Sequence, residues 1–134
     1  ETGGAVTVEG RAAAPYPGRP QALKRCLANV LENAIKYGKS ARVVVADGIE
    51  SLQLSILDEG PGLPQEQLEK VFEPFYRVEG SRNRDTGGTG LGLAIAKNVA
   101  ELHGGRIELH NRAEGGLVAV LTLPRKRNQE SPRL

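Results

Sequence analysis

Two runs of alternating apolar residues, ARVVVAD (Ala41–Asp47) and LQLSILD (Leu52–Asp58), sit in the middle of this chain, joined by Gly48-Ile49-Glu50-Ser51. Side chains alternate between the two faces of a strand. Leu52, Leu54 and Ile56 therefore share one face, and the pair reads as an antiparallel hairpin with one buried side. Such a face needs a second layer. The segment Gln21–Tyr37 supplies one, because Leu23, Leu27, Val30, Leu31 and Ala34 fall on one side of a helix, and Gly38 is expected to end it.

The remaining elements extend the same plan. Val6–Gly10 alternates as a short strand, and Pro15–Pro20 is a loop leading to the first helix. Gly60-Pro61-Gly62 compels a turn, Gln65–Phe72 allows at most a short helix, and the polar, glycine-rich stretch Val78–Gly88 is expected to be a mobile loop. Thr89–His103 reads as a second long helix capped by Gly104-Gly105. Arg106–His110 and Leu117–Leu123 read as two strands joined by Asn111–Gly116, with Pro124 as the stop. The expected fold class is α/β, a two-layer sandwich of a mixed, mostly antiparallel sheet on about three helices.

At 134 residues with 39% hydrophobic residues, one domain with an ordinary core is expected. The formal charge is +2, yet after Leu123 the chain carries Arg125, Lys126, Arg127 and Arg133 against Glu130. The body is thus close to neutral, which argues against a nucleic-acid-binding face. The domain is expected to span residues 1–124, with 125–134 a basic, disordered tail. Cys26 has no partner for a disulfide or a metal-site spacing, in keeping with a reducing compartment. No apolar run reaches the roughly 18 residues of a membrane span, so no membrane contact is expected. A first residue of Glu suggests a piece of a longer protein, whose missing parts have room for a membrane anchor.

Two features suggest chemistry. On the first helix Arg25, Asn29, Asn33 and Lys36 form a stripe roughly 80° wide, read as lying opposite the apolar side. Asn is a poor interior helix residue. As a site, Asn33 would offer a carbonyl oxygen to magnesium and Lys36 a charge to phosphate; as a solvated face, the stripe would do neither. The second feature is DTGGTGLGLAIAK (Asp85–Lys97), where glycines run into a helix. Gly87 and Gly92 have P-loop spacing, but Leu93 and Ala94 stand where Lys and Ser or Thr are required. The dinucleotide fingerprint fails at Leu93 or Ile95, and no strand precedes it. What is left is backbone N–H groups able to approach an anion at a helix start.

Together these residues resemble the catalytic, ATP-binding domain of bacterial two-component sensor histidine kinases, within the superfamily that includes gyrase, heat-shock chaperone and mismatch-repair ATPases. Four motifs stand in the family order: LANVLENAIKYG (Leu27–Gly38), DEGPGLP (Asp58–Pro64), FEPFYR (Phe72–Arg77) and GTGLGLAIAK (Gly88–Lys97). The resemblance implies a Bergerat-type fold binding Mg-ATP. It implies that Asn33 ligates Mg2+, that Asn29 supports the triphosphate or the metal, and that Lys36 contacts phosphate, these three forming the catalytic set. Tyr37 would lie against the nucleotide. Asp58 would accept a hydrogen bond from the adenine amino group, and Gly60 and Gly62 would let the backbone pass close to the base. Phe72 and Phe75 would anchor a lid, Arg77 would reach the γ-phosphate, and Gly88, Thr89, Gly90, Leu91 and Gly92 would close over the phosphates. Arg82 and Arg84 match no fixed family position.

The superfamily's hydrolases place a glutamate four residues before the metal-binding asparagine, where it acts as general base. Here that residue is Asn29, and Glu32 points about 100° away from Asn33. Transfer to another acceptor is therefore expected over hydrolysis. The acceptor in this family is a histidine on a separate dimeric helical domain; His103 and His110 lack its setting and read as structural, His103 as a charge suited to a helix C-terminus. The implied partners are ATP, that phosphoacceptor domain and a downstream response regulator, the fragment being a monomer and the full protein a homodimer. The implied location is a cytoplasmic domain of a protein anchored in the inner membrane. A regulatory module without transfer, or a related ATPase or serine kinase, are the alternatives.

Overall fold

The computed structural model describes residues 5–11, 16, 18–74, 76 and 92–125. The elements run β1 (Ala5–Glu9), α1 (Pro20–Gly38), β2 (Ser40–Asp47), β3 (Ser51–Leu57), two 3-10 turns (Gln65–Gln67 and Lys70–Phe72), α2 (Gly92–Leu102), β4 (Arg106–Asn111) and β5 (Leu117–Pro124). The five strands form one sheet in the order β1-β2-β3-β5-β4. Every pairing is antiparallel except β1 with β2, because β1 returns through α1 before β2 begins. Two long helices and two 3-10 turns, where about three helices were expected, make up the helical complement of the described residues.

Register explains the core. Val43 pairs with Ile56, Ile56 with Ala119, and Ala119 with Leu109, so one apolar row crosses four strands on a single face. The parallel row Leu52–Leu123 and the row Leu54–Leu121–Ile107 lie on that face too. Helices α1 and α2 pack against each other and cover it. Each large aliphatic side chain buried there contributes roughly 1.5–3 kcal/mol relative to exposure.

The buried arc of α1 is rotated from the sequence expectation. Its centre is Cys26, Val30 and Ala34, spaced four apart, while Leu23, Leu27 and Leu31 are only partly buried. Asn29 and Asn33 consequently lie on the margin of the core, half-buried, and not opposite it. Arg25 and Lys36 are exposed.

The end of α1 also differs from expectation. Gly38 belongs to α1, and Lys39 adopts the left-handed conformation (φ 68°) with its N–H bonded to Ile35 O. At the other helix, Gly105 N–H donates to Ala100 O and Gly104 N–H to Glu101 O, with Gly104 at φ +80°, the two-bond Schellman closure that Gly104-Gly105 led one to expect. His103 joins the two helices: its Nε2 accepts the Arg19 N–H at 3.0 Å, while Nδ1 lies 2.9 Å from Val99 O. Accepting an N–H requires a lone pair on Nε2, so Nδ1 is the side of the ring that faces Val99 O as donor. Arg125, assigned to the tail from sequence, is attached to the sheet through a bidentate pair with Asp47 at 2.6 and 3.1 Å.

Candidate functional site

Asp58 follows directly on β3 and is 5% exposed, one of two buried polar or charged residues in the described chain. Its Oδ1 accepts from Gly60 N–H (2.8 Å) and Leu117 N–H (3.3 Å), and its backbone N–H is bonded to Leu117 O. One carboxylate oxygen is thus consumed by the fold. Oδ2 has no hydrogen bond among the described residues, which leaves it as the acceptor the site can present.

Asp58 is part of the lining of a recess between the layers. Val30, Asn33 and Ala34 of α1, Ile56 of β3, Leu93 of α2 and Leu109, Leu117 and Ala119 of β4 and β5 line it with Asp58. Apolar side chains with one carboxylate and one carboxamide match the chemistry of a mostly apolar ring that carries a hydrogen-bond donor on its edge.

Close backbone approaches build the recess. A Cβ on Gly38 would stand 2.6 Å from the Cβ of Asp58, so the last turn of α1 can touch the end of β3 only through glycine. Gly116, at φ +90°, brings its backbone against Asp58 O, where a Cβ would collide. Sequence reading treated Gly38 as a helix stop and Gly116 as part of a connection. Their steric role lies in which residues fold back beside them.

On α1 the Asn29 side chain carries the one buried side-chain polar atom without a hydrogen-bond partner in the described residues, its Nδ2. A buried unpaired donor costs roughly 1–3 kcal/mol, and it calls for a partner the apo chain does not supply. Gly92, the first residue of α2, faces it: a Cβ there would lie 3.8 Å from Asn29 Cβ, Cγ and Oδ1. Gly92 and the asparagine stripe of α1 thus meet in space. Lys36 is exposed at the same end of α1.

Of the residues singled out from sequence, the structure brings Asn29, Asn33, Asp58 and Gly92 around the space between α1 and α2. Gly60 is tied to Asp58, and Gly62 turns the following loop at φ +78°. Phe72 is buried with Leu68 and Val71 in the core, beside α2. Phe75, Arg77, Gly88, Thr89, Gly90 and Leu91, with Arg82 and Arg84, lie outside the described residues, as does the side chain of Tyr37. Glu32 is exposed. Asn111 and Arg112, read from sequence only as the start of a connection, both reach the Asp58 loop.

This geometry agrees with what the chain matches. The model of the histidine kinase-, DNA gyrase B-, and HSP90-like ATPase family covers residues 18–127. The chain belongs to that family. Within it the relatives are sensor kinases: it is 53% identical over 122 residues to sensor histidine kinase GtrS of Pseudomonas aeruginosa, covering 91% of this chain and 25% of that protein. It is 43% identical over 103 residues to the signal transduction histidine-protein kinase BaeS of Escherichia coli, 75% of this chain and 22% of that one. Among solved structures, the mycobacterial sensor histidine kinase MprB superposes with a TM-score of 0.76 at 32% identity, over 90% of this chain and 84% of that chain. The ATP-binding domain of PrrB from Mycobacterium tuberculosis gives 0.68 at 28% identity, over 93% and 82%. The ATPase-family fold is therefore that of a sensor histidine kinase catalytic domain. The chain spans about a quarter of the length of the first curated relatives. No helix among the described residues is long and apolar enough to cross a membrane.

Proposed function

We propose that this chain binds Mg-ATP in the recess beside Asp58 and donates the γ-phosphoryl group to a histidine on a separate dimerisation domain of the same protein. The observation that carries the reading is the buried Asp58, which lines an apolar recess together with Asn33 and has one carboxylate oxygen without a hydrogen bond among the described residues. A carboxylate there accepts from the adenine amino group. Guanine would set a carbonyl oxygen against it, acceptor on acceptor, so ATP is preferred over GTP.

The residues fit a magnesium nucleotide. No cluster of three or more His, Cys, Asp or Glu capable of holding a metal occurs among the described residues. Magnesium in phosphoryl-transfer sites is held by one or two protein ligands and otherwise by phosphates and water, so the Asn33 carbonyl suffices. The buried Asn29 Nδ2 offers a donor to a phosphate oxygen, and Lys36 offers a charge. When bound, the metal supplies charge neutralisation on the transferring group. Asn33 and Asn29 orient the phosphates, Asp58 fixes the base, and the apolar slot excludes water from the ring. Gly88, Thr89, Gly90, Leu91 and Gly92 would close over the phosphates, with Phe75 anchoring that segment, Arg77 reaching the γ-phosphate and Tyr37 lying against the nucleotide.

Neither Asn29 nor Glu32 is suited to activate water beside Asn33. Asn29 occupies the general-base position of the hydrolases and cannot take a proton, and Glu32 is exposed. This supports transfer over hydrolysis, with a response regulator receiving the phosphoryl group afterwards. In the whole protein the domain would lie on the cytoplasmic side of an inner-membrane anchor, monomeric by itself and paired through the acceptor domain.

The test is to mix this chain with a matching helical-hairpin domain and labelled ATP. Acid-labile, base-stable label on the hairpin histidine is the expected result; tight ATP binding with no transfer would point to a regulatory module, and release of free phosphate to an ATPase. Asn33→Ala should weaken magnesium-dependent binding and Asp58→Asn should weaken adenine preference. Unchanged affinity and preference in both would remove the assignment.

A further inference from the structure

The loop that follows Asp58, residues Asp58–Leu63, has little holding it from within. Pro61 has no N–H, Gly60 and Gly62 leave the backbone loose, and Gly60 N–H is bonded only to Asp58 Oδ1 inside the loop itself. Yet both ends are gripped from outside, and by two consecutive residues at the β4–β5 turn. At one end the Arg112 guanidinium donates to Asp58 O at 2.6 Å. At the other the Asn111 carboxamide accepts from Leu63 N–H at 3.0 Å and donates to Leu63 O at 2.8 Å, as a neighbouring strand would.

We propose that Asn111 and Arg112 are positioning residues for adenine recognition, which together with the Leu117 bonds to Asp58 set where its carboxylate stands in the slot. The proposal rests on the reading of Asp58 as the adenine contact. Neither side chain touches the nucleotide; both act through the loop.

Three observations support a dedicated clamp. The Arg112 side chain is 14% exposed, and its Nε lies 3.8 Å from Glu114, beyond hydrogen-bond range, so the short bond to Asp58 O is its main engagement. The turn that carries the pair is itself closed, Arg112 N–H donating to Gly116 O and Gly115 N–H to Arg112 O. Finally, a Cβ on Gly62 would lie 2.7 Å from Asn111 Oδ1, so the loop's glycine is shaped to admit this amide. The charge-assisted, half-buried Arg112 bond is the stronger half of the clamp, because the Asn111 bonds are exposed to water.

The experiment measures ATP and GTP dissociation constants and the nucleotide-free melting midpoint for this chain with Arg112→Ala, Asn111→Ala, both changes, Arg112→Lys and Asp58→Asn. Loss of one charge-assisted bond corresponds to about tenfold, so Arg112→Ala should weaken ATP binding by about that factor and GTP binding by clearly less. The ATP-over-GTP preference then falls, falls further in the double variant, and is partly restored by lysine, which keeps one charged donor. An equal loss for both nucleotides, as generalised loosening would produce, overturns the clamp, and so does an unchanged preference. Asp58→Asn separates the two levels: its carboxamide can turn an N–H₂ toward guanine, so preference must fall if Asp58 reads the base. Preference lost in Asp58→Asn but kept in Arg112→Ala removes the clamp alone. Preference kept in Asp58→Asn removes the reading of Asp58 beneath it.

Discussion

Gly38 and Asp58 are in contact with no side chain between them: a Cβ on the glycine would stand 2.6 Å from the Cβ of the aspartate. Helix α1 and strand β3 therefore fix each other's ends, and the carboxylate inherits its place from a helix terminus. Gly38→Ala should destabilise the chain by about 1–3 kcal/mol, the usual cost of overpacking, and should also weaken ATP binding. Urea unfolding followed by nucleotide titration checks both; a stable variant with unchanged ATP affinity would show that the contact yields without moving Asp58.

The neighbouring residue predicts the opposite sign. Lys39 holds φ 68°, where a Cβ costs roughly 1–2 kcal/mol, while glycine loses about 0.5–1 kcal/mol more entropy on folding. Lys39→Gly should therefore stabilise the chain by about 0.5–1 kcal/mol, visible as a higher urea midpoint at constant slope.

Asn29 should behave as a residue kept for function against stability. Its Nδ2 is buried without a partner in the described chain, so Asn29→Ala removes an unsatisfied donor along with some packing. The expected outcome is a nucleotide-free melting midpoint that is unchanged or raised, together with Mg-ATP binding weakened by about tenfold or more. Scanning calorimetry with and without Mg-ATP decides it, and a large loss of intrinsic stability with unaltered binding would make Asn29 merely structural.

Cys26 is fully buried beneath α2, its Sγ 3.6 Å from Ala96 O, and burial pushes its thiol from the ordinary 9.0 to about 11. At pH 8 it should resist alkylation until the chain unfolds. The folded value lies above the unfolded one, so this group's contribution to stability is fully present below about 9 and is lost as pH rises toward 11. Cys26→Ala should reduce that part of the alkaline slope, measured as the midpoint between pH 8.5 and 11.

Arg125 and Asp47 form a bidentate pair at the end of the sheet opposite Asp58, and the guanidinium also lies 5.5 Å over the Tyr16 ring. Tyr16 in turn donates to Pro124 O at 2.7 Å. Both Arg125→Gln and Asp47→Asn should lower the melting midpoint, and the double change should lower it by less than their sum, since the interaction between the two is lost only once. Strict additivity would show that the two side chains stabilise the chain independently.

Much of this molecule was legible in local sequence. The alternation in Ala41–Asp47, Leu52–Asp58 and Leu117–Leu123 marked strands, and the spacing in Gln21–Tyr37 marked a helix, because both signals lie among residues close along the chain and reflect a single buried face. The order of asparagines, Asp58 and glycine runs also named the family. Local pattern did not say which arc of α1 goes deepest, since Cys26 differs from its leucine neighbours only by where α2 comes to rest. Nor did it say that Gly38 and Gly116 are needed against Asp58, or that Asn111 and Arg112 hold the loop after it. Arg112 and Asp58 stand 54 residues apart, and their contact exists because β5 pairs with β3 and carries its own turn to that edge. The sequence by itself determined the elements and the chemical types at the site. Only the tertiary structure decided which glycines must be glycine, which Asp58 oxygen stays uncommitted, and which side chains hold it in place, because those follow from close approach between segments that have no local code for one another.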